Sequence, residues 1–114
     1  YIKGLYNLRG RVVPVVDLNK KFSLGDSEIT KKTKIIITEK DGQLFGFMVN
    51  NVLEIINLKD DAIDKSDAII KVNNKKYLKG IGKKDETLFS IIDLHEVLHD
   101  GEVQEVIDII ANKE

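Results

Sequence analysis

The chain has 114 residues, 18 Lys plus Arg against 19 Asp plus Glu, and a net charge of −1. That is one ordinary domain or two small subdomains sharing a core, with no global charge to favour nucleic acid. No cysteine is present, which excludes disulfides, thiol catalysis and cysteine-based zinc sites and fits a reducing cytoplasm. Hydrophobic residues make up 42% and charged residues 32%, a globular balance. No run approaches the roughly 20 apolar residues of a membrane span. The opening residues, with Gly4 and Arg9 close behind Tyr1, do not read as a signal peptide.

Val12-Val13-Pro14-Val15-Val16 is short and β-branched, bounded by Arg9-Gly10 and Asp17, and predicts a strand. Pro14 has no N–H to give a ladder, so the expectation is an edge strand or a bulge there. Lys34 to Thr38 and Leu44 to Val49 predict a hairpin around Lys40-Asp41-Gly42-Gln43, where Gly42 supplies positive φ. Val52 to Ile56 reads as a further strand, and Asn57 to Asp67 as a loop or short helical turn. Ile69 to Val72, Tyr77 to Ile81 and Leu88 to Ile92 complete the strands, with turns at Asn73-Asn74 and Lys83 to Glu86. Asp17 and Asp93 each follow a strand and can N-cap a short turn, through Phe22 and Leu98 respectively; Glu96 has capping-box spacing. Val103, Val106, Ile107 and Ile110 predict an amphipathic helix over Glu102 to Asn112, with Gly101 breaking it from the preceding turn. Short strands at this spacing suggest small barrels or a sandwich.

An internal repeat organises these elements. Shifted by 76 positions, Tyr1-Ile2-Lys3-Gly4-Leu5 falls on Tyr77-Leu78-Lys79-Gly80-Ile81. Without a gap, Val12-Val13 then falls on Leu88-Phe89, Val15-Val16 on Ile91-Ile92, and Asp17-Leu18 on Asp93-Leu94. Each copy is strand, turn, strand and capped turn, and neither can bury its apolar face alone. Lys34 to Ile56 precedes the second copy and is expected to partner it. No such hairpin precedes the first copy, so the expectation is a first subdomain without its partner hairpin.

Residues 1 to 18, with Asn7-Leu8-Arg9-Gly10 followed by Val13-Pro14-Val15-Val16-Asp17-Leu18, closely resemble the signature of CheW-like chemotaxis domains. Lys34 to Ile56 is similar to that family's central hairpin and Tyr77 to Leu98 to its closing repeat. The resemblance implies an all-β fold with a C-terminal helix, as two SH3-like five-stranded barrels. It implies one CheW-like domain over 1–114: residues 1–32 and the helix 101–113 form the first barrel, residues 33–98 the second. The first barrel is expected to lack its N-terminal hairpin, which in the family adds roughly 40 residues for two strands and their flanks. An open edge there invites a homodimer by strand exchange.

The resemblance further implies an adaptor that couples the histidine kinase CheA, through its regulatory domain, to the cytoplasmic tips of chemoreceptors. It places the chain in the cytoplasm, at receptor arrays on the inner face of the membrane, without inserting into it. Arg9 matches a family arginine linked to receptor and kinase coupling, with Asn7 beside it, and Gly4 and Gly10 match turn glycines. Phe45 and Phe47, in a strand that alternates only loosely with Leu44 and Val49, are expected to lie on an exposed apolar face that meets another domain. No cofactor and no enzyme activity are implied. A regulatory domain cut from the kinase, or a hybrid adaptor, shares the same fold and stays open as an alternative.

One motif points elsewhere. His95-Glu96-Val97-Leu98-His99 matches the zinc-protease pattern His-Glu-x-x-His, which on one helix aligns two imidazoles with a Glu base. A small zinc hydrolase using His95, Glu96 and His99 is therefore a remote alternative. Against it, the first copy of the repeat carries Asn19 and Lys20 where His95 and Glu96 fall. Asp17 and Asp93 likewise read as caps rather than paired catalytic carboxylates. From spacing alone Arg9 is a solvated turn charge, Lys31-Lys32 and Lys83-Lys84 are loop charge, and Gly46 is a close-packing glycine.

Overall fold

A computed structural model describes residues 1–59, 61, 63–64 and 76–113. The first repeat folds as a hairpin, β1 (Ile2–Leu8) and β2 (Arg11–Asp17). Arg9 and Gly10 have φ of 53° and 84°, the two left-handed positions of a two-residue turn whose twist matches the flanking strands. Helix α1 (Leu18–Lys21) follows, capped by the Asp17 side chain, which accepts from the backbone of Asn19 and Lys20. A second hairpin, β3 (Lys34–Lys40) and β4 (Gln43–Val49), turns at Asp41 and Gly42 with φ of 52° and 81°.

These four strands make one sheet in the order β1-β2-β4-β3. β2 pairs β1 antiparallel and β4 parallel, so it is a central strand. Val13 to Asp17 are all buried, which accounts for its unbroken apolar run: a strand covered on both faces does not alternate. The edge expected from Pro14 is therefore not found, and the bulge lies opposite, on β1 between Ile2 and Gly4. Pro14 pairs with Leu5, a position whose nitrogen points away from β1 in the hairpin's alternation. The parallel ladder to β4 begins only at Val15, so the missing N–H is not asked for.

The hairpin also departs from its expected allegiance. Lys34 to Val49 joins the first repeat rather than the second. One compact unit comprises residues 1–54 with 100–114, and the other residues 55–99. The division therefore differs from the expected 1–32 and 33–98. The reason is apolar area: Val13 and Val16 are fully buried, Phe45 and Phe47 are 2% exposed, and β2 needs β4 to reach that state. Gly46 permits the close packing: a Cβ there would come within 2.8 Å of Ile35 Cγ2.

In the same unit, helix α2 (Asp100–Lys113) buries Glu102, Val106 and Ile110, one helical stripe, and packs against β2. Gly101 lies within its first turn rather than breaking it. Lys21 Nζ of α1 sits 2.8 Å from Glu102 Oε2 of α2 and 5.4 Å from the Tyr1 ring centroid. Burial, then Glu102 and Glu105, raise the Tyr1 phenol above its ordinary pKa.

The second unit holds a three-stranded sheet, β5 (Ile63–Asp64), β6 (Leu78–Lys84) and β7 (Thr87–Ile92), in that order. β5 falls where a loop or helical turn was expected. Residues 52–56 are not a strand: Leu53 and Ile55 are 89% and 94% exposed, with no ladder formed. The expected strand Ile69 to Val72 and turn Asn73-Asn74 lie outside the described residues. A 3₁₀ turn over Leu94–Glu96 follows β7, capped by Asp93, which accepts from the His95 backbone.

Candidate interaction surface

The surface begins with two turns. Because β2 and β4 run parallel, the turn before each lies at the same end of the sheet. Arg11 Nη2 donates to the Gly42 carbonyl at 3.1 Å and ties the two tips together. Gln43 Nε2 adds a bond to the Val12 carbonyl at 3.3 Å. Arg9 is exposed at the first tip and Asp41 at the second. This end of the sheet presents charged groups on braced turns, an arrangement suited to recognising a charged partner segment.

Arg9, Asn7 and Gly10 are brought together as expected. Asn7 Oδ1 accepts from the Gly10 N–H at 2.8 Å, which holds the turn and so sets the direction of Arg9. Asn7 is a brace before it is a contact. Gly4 corrects an expectation: it lies in β1 at the bulge, not in a turn, and a Cβ there would meet nothing within 4 Å.

Phe45 and Phe47 also correct one. Both are core residues, within the stretch Phe45 to Met48 of β4 that is buried throughout. The bared apolar surface is on the edge strands instead. Ile35, Ile36 and Ile37 of β3 are 45%, 37% and 40% exposed, and Tyr6 of β1 is half exposed. The signal for these was present as three consecutive isoleucines, but reading them as surface requires knowing that β3 ends the sheet. Arg11 was missed because its role depends on a turn 31 residues away.

The zinc motif loses its frame. His95 lies in the 3₁₀ turn and His99 beyond it, before α2 begins, so the two imidazoles do not share a helix. His95 Nδ1 is 3.5 Å from Asp93 Oδ1 instead. No cluster of three metal-ligating side chains occurs among the described residues. No described helix is long and apolar enough to cross a membrane.

Asp17 is the most constrained polar group, 1% exposed. It accepts from the Asn19 backbone at 3.0 Å, from the Ser27 backbone at 3.1 Å, and from the Ser27 hydroxyl. Burial pushes its pKa up, but the Ser27 hydroxyl and the surrounding backbone N–H groups outweigh it and hold the carboxyl below 3.8. It is a structural anchor, not an acid–base catalyst.

Comparison with known proteins agrees with the fold. A family model described as CheW-like domain matches residues 1–102. The Chemotaxis protein CheW of Helicobacter pylori is 33% identical over 98 residues, 86% of this chain and 59% of that protein. That of Bacillus subtilis is 34% identical over 86% of this chain and 63% of that protein. The chain thus spans about three-fifths of the length of these relatives. The crystal structure of the scaffolding protein TtCheW from Thermoanaerobacter tengcongensis superposes with a TM-score of 0.72 at 35% identity. It covers 86% of this chain and 63% of that one. With the two sheets, the C-terminal helix and the Asn-Leu-Arg-Gly turn all in place, the chain belongs to the CheW-like domain family.

Proposed function

We propose that this chain is a non-catalytic adaptor of bacterial chemotaxis that couples the histidine kinase CheA to chemoreceptors. The observation that carries the reading is the family match over residues 1–102, joined by structural similarity to the scaffolding protein TtCheW. The two sheets are then parts of two SH3-like five-stranded barrels. The receptor tip and the kinase regulatory domain are the partners, met on the cytoplasmic face of the membrane. The braced turn around Arg9 is the charged contact, and the exposed Tyr6 on one edge strand and Ile35, Ile36 and Ile37 on the other are the apolar contacts.

The test is pull-down of the CheA regulatory domain and of a receptor tip by the chain and by its Arg9→Glu variant. The expected outcome is capture of both by the unsubstituted chain, with capture of at least one weakened about tenfold or more by Arg9→Glu while the circular dichroism spectrum is unchanged. Capture of neither partner by the unsubstituted chain overturns the adaptor reading. Normal ternary assembly by Arg9→Glu overturns the role of that residue.

A further inference from the structure

Helix α1 is a single turn, yet side chains of the turn and its cap reach three segments distant in sequence. Asp17, the cap, holds the following loop through the Ser27 backbone and hydroxyl. Asn19 Nδ2 donates to Asn50 Oδ1 at 2.8 Å, just past the end of β4. Lys21 Nζ meets Glu102 Oε2 at 2.8 Å in the first turn of α2, with the two side chains 20% and 12% exposed. Splitting a charge pair so largely buried is costly, because the partner left behind is unpaired.

Two of these three segments have a particular place in the chain. The first unit is built from residues 1–54 and 100–114, so the chain leaves it after Glu54 and returns at Asp100. Asn50 lies just before the exit and Glu102 just inside the return. Both connections to the second unit are therefore fastened to one helical turn. That turn is closed by the Phe22 N–H on the Leu18 carbonyl at 3.0 Å and by the Asp17 cap. A single turn forms or melts as a whole, since its few bonds share one nucleus. The repeat does not demand this arrangement: the second copy carries His95 and Val97 where the first has Asn19 and Lys21.

We propose that α1 is a clasp on both connections, so that the exit past β4 and the return into α2 loosen together rather than one at a time. Asn19 and Lys21 are its two pins, and Asp17 holds the turn that carries them. The device is internal to the first unit and stands or falls separately from the chemotaxis reading.

The experiment follows amide hydrogen exchange in the full chain carrying Lys21→Met, Asn19→Ala or Lys21→Arg. Lys21→Met is expected to speed exchange at Val106 and Ile107 of α2 at least about tenfold and, through the melted turn, at Met48 and Val49 of β4 at least about threefold. Asn19→Ala is expected to speed the same amides on both sides, most at Met48 and Val49. Lys21→Arg keeps the charge and is expected to keep exchange slow on both. In every variant the amides of Val13 and Val15 in the central strand retain the rates of the unsubstituted chain. Lys20→Met, which loses the exposed pair with Asp26 at 3.1 Å, is expected to change neither side. Loosening confined to α2 with Lys21→Met and to β4 with Asn19→Ala overturns the proposal. Uniform acceleration that includes Val13 and Val15 overturns it too, because α1 would then brace the whole sheet rather than the two connections.

Discussion

The two repeats share a hairpin, a bulge and a cap but not a neighbourhood. The Asp17 N–H bonds the Tyr1 carbonyl at 2.8 Å, and the Asp93 N–H bonds the Tyr77 carbonyl at 2.8 Å. Each first strand is bulged at the same place, between Ile2 and Gly4 and between Leu78 and Gly80. Beyond that they diverge. The first repeat gains a strand outside β2, and the second gains β5 outside β6. Equivalent residues then meet different environments: Asp17 is buried, whereas the Asp93 side chain is 37% exposed. Local structure follows the repeat, and energetic weight follows the neighbours.

The comparison can be broken by paired substitutions. The largest contrast is at the sheet beside each second strand. Phe47→Ala leaves a cavity among β2, β3 and β4 and is expected to cost about 3–5 kcal/mol in urea unfolding. Leu88→Ala, at a side chain that is 68% exposed on β7, is expected to cost under about 0.5 kcal/mol. Similar losses at both positions would show that Leu88 packs as closely as Phe47 does.

The caps come next. Asp17→Ala removes the acceptor for Ser27, Asn19 and Lys20 and is expected to cost about 3 kcal/mol. Asp93→Ala removes one backbone bond at a more exposed cap and is expected to cost about 1 kcal/mol. The Asp17 contribution also depends on pH. Its folded pKa lies below 3.8, so the stability is present in full above that value and is lost as the pH falls through the lowered folded pKa. Urea midpoints measured between about pH 5 and pH 2 should therefore fall less steeply for Asp17→Asn than for the unsubstituted chain. An unchanged slope would detach the acid limb from this residue.

The third contrast is at the bulge glycines. Gly80 has φ 157°, and a Cβ there would come within 2.5 Å of the Asp64 carbonyl oxygen. Gly80→Ala is expected to cost about 2 kcal/mol or to displace β5, read as faster amide exchange on β6. Gly4→Ala meets open space and is expected to stay within about 0.5 kcal/mol. A penalty at Gly4 equal to that at Gly80 would mean that β1 also carries a strand on its outer side.

Much of this was legible in the residues themselves. The hairpin turn at Asp41-Gly42, the caps at Asp17 and Asp93, the amphipathic C-terminal helix and the repeat all rest on short-range chemistry: φ preferences, side-chain acceptors and periodicity. So did the turn that displays Arg9. What only the tertiary structure decided is which strand lies beside which. Pro14 suggested an edge because its missing N–H was counted without knowing which side it faced. Phe45 and Phe47 suggested a surface because their strand alternates loosely, yet the consecutive residues Phe45 to Met48 are all buried, so both faces of that strand are covered. The hairpin Lys34–Val49 went to the first repeat because Val13 and Val16 needed its cover, a matter of apolar area summed over distant segments. Local pattern names the elements and caps them, and long-range burial chooses their partners.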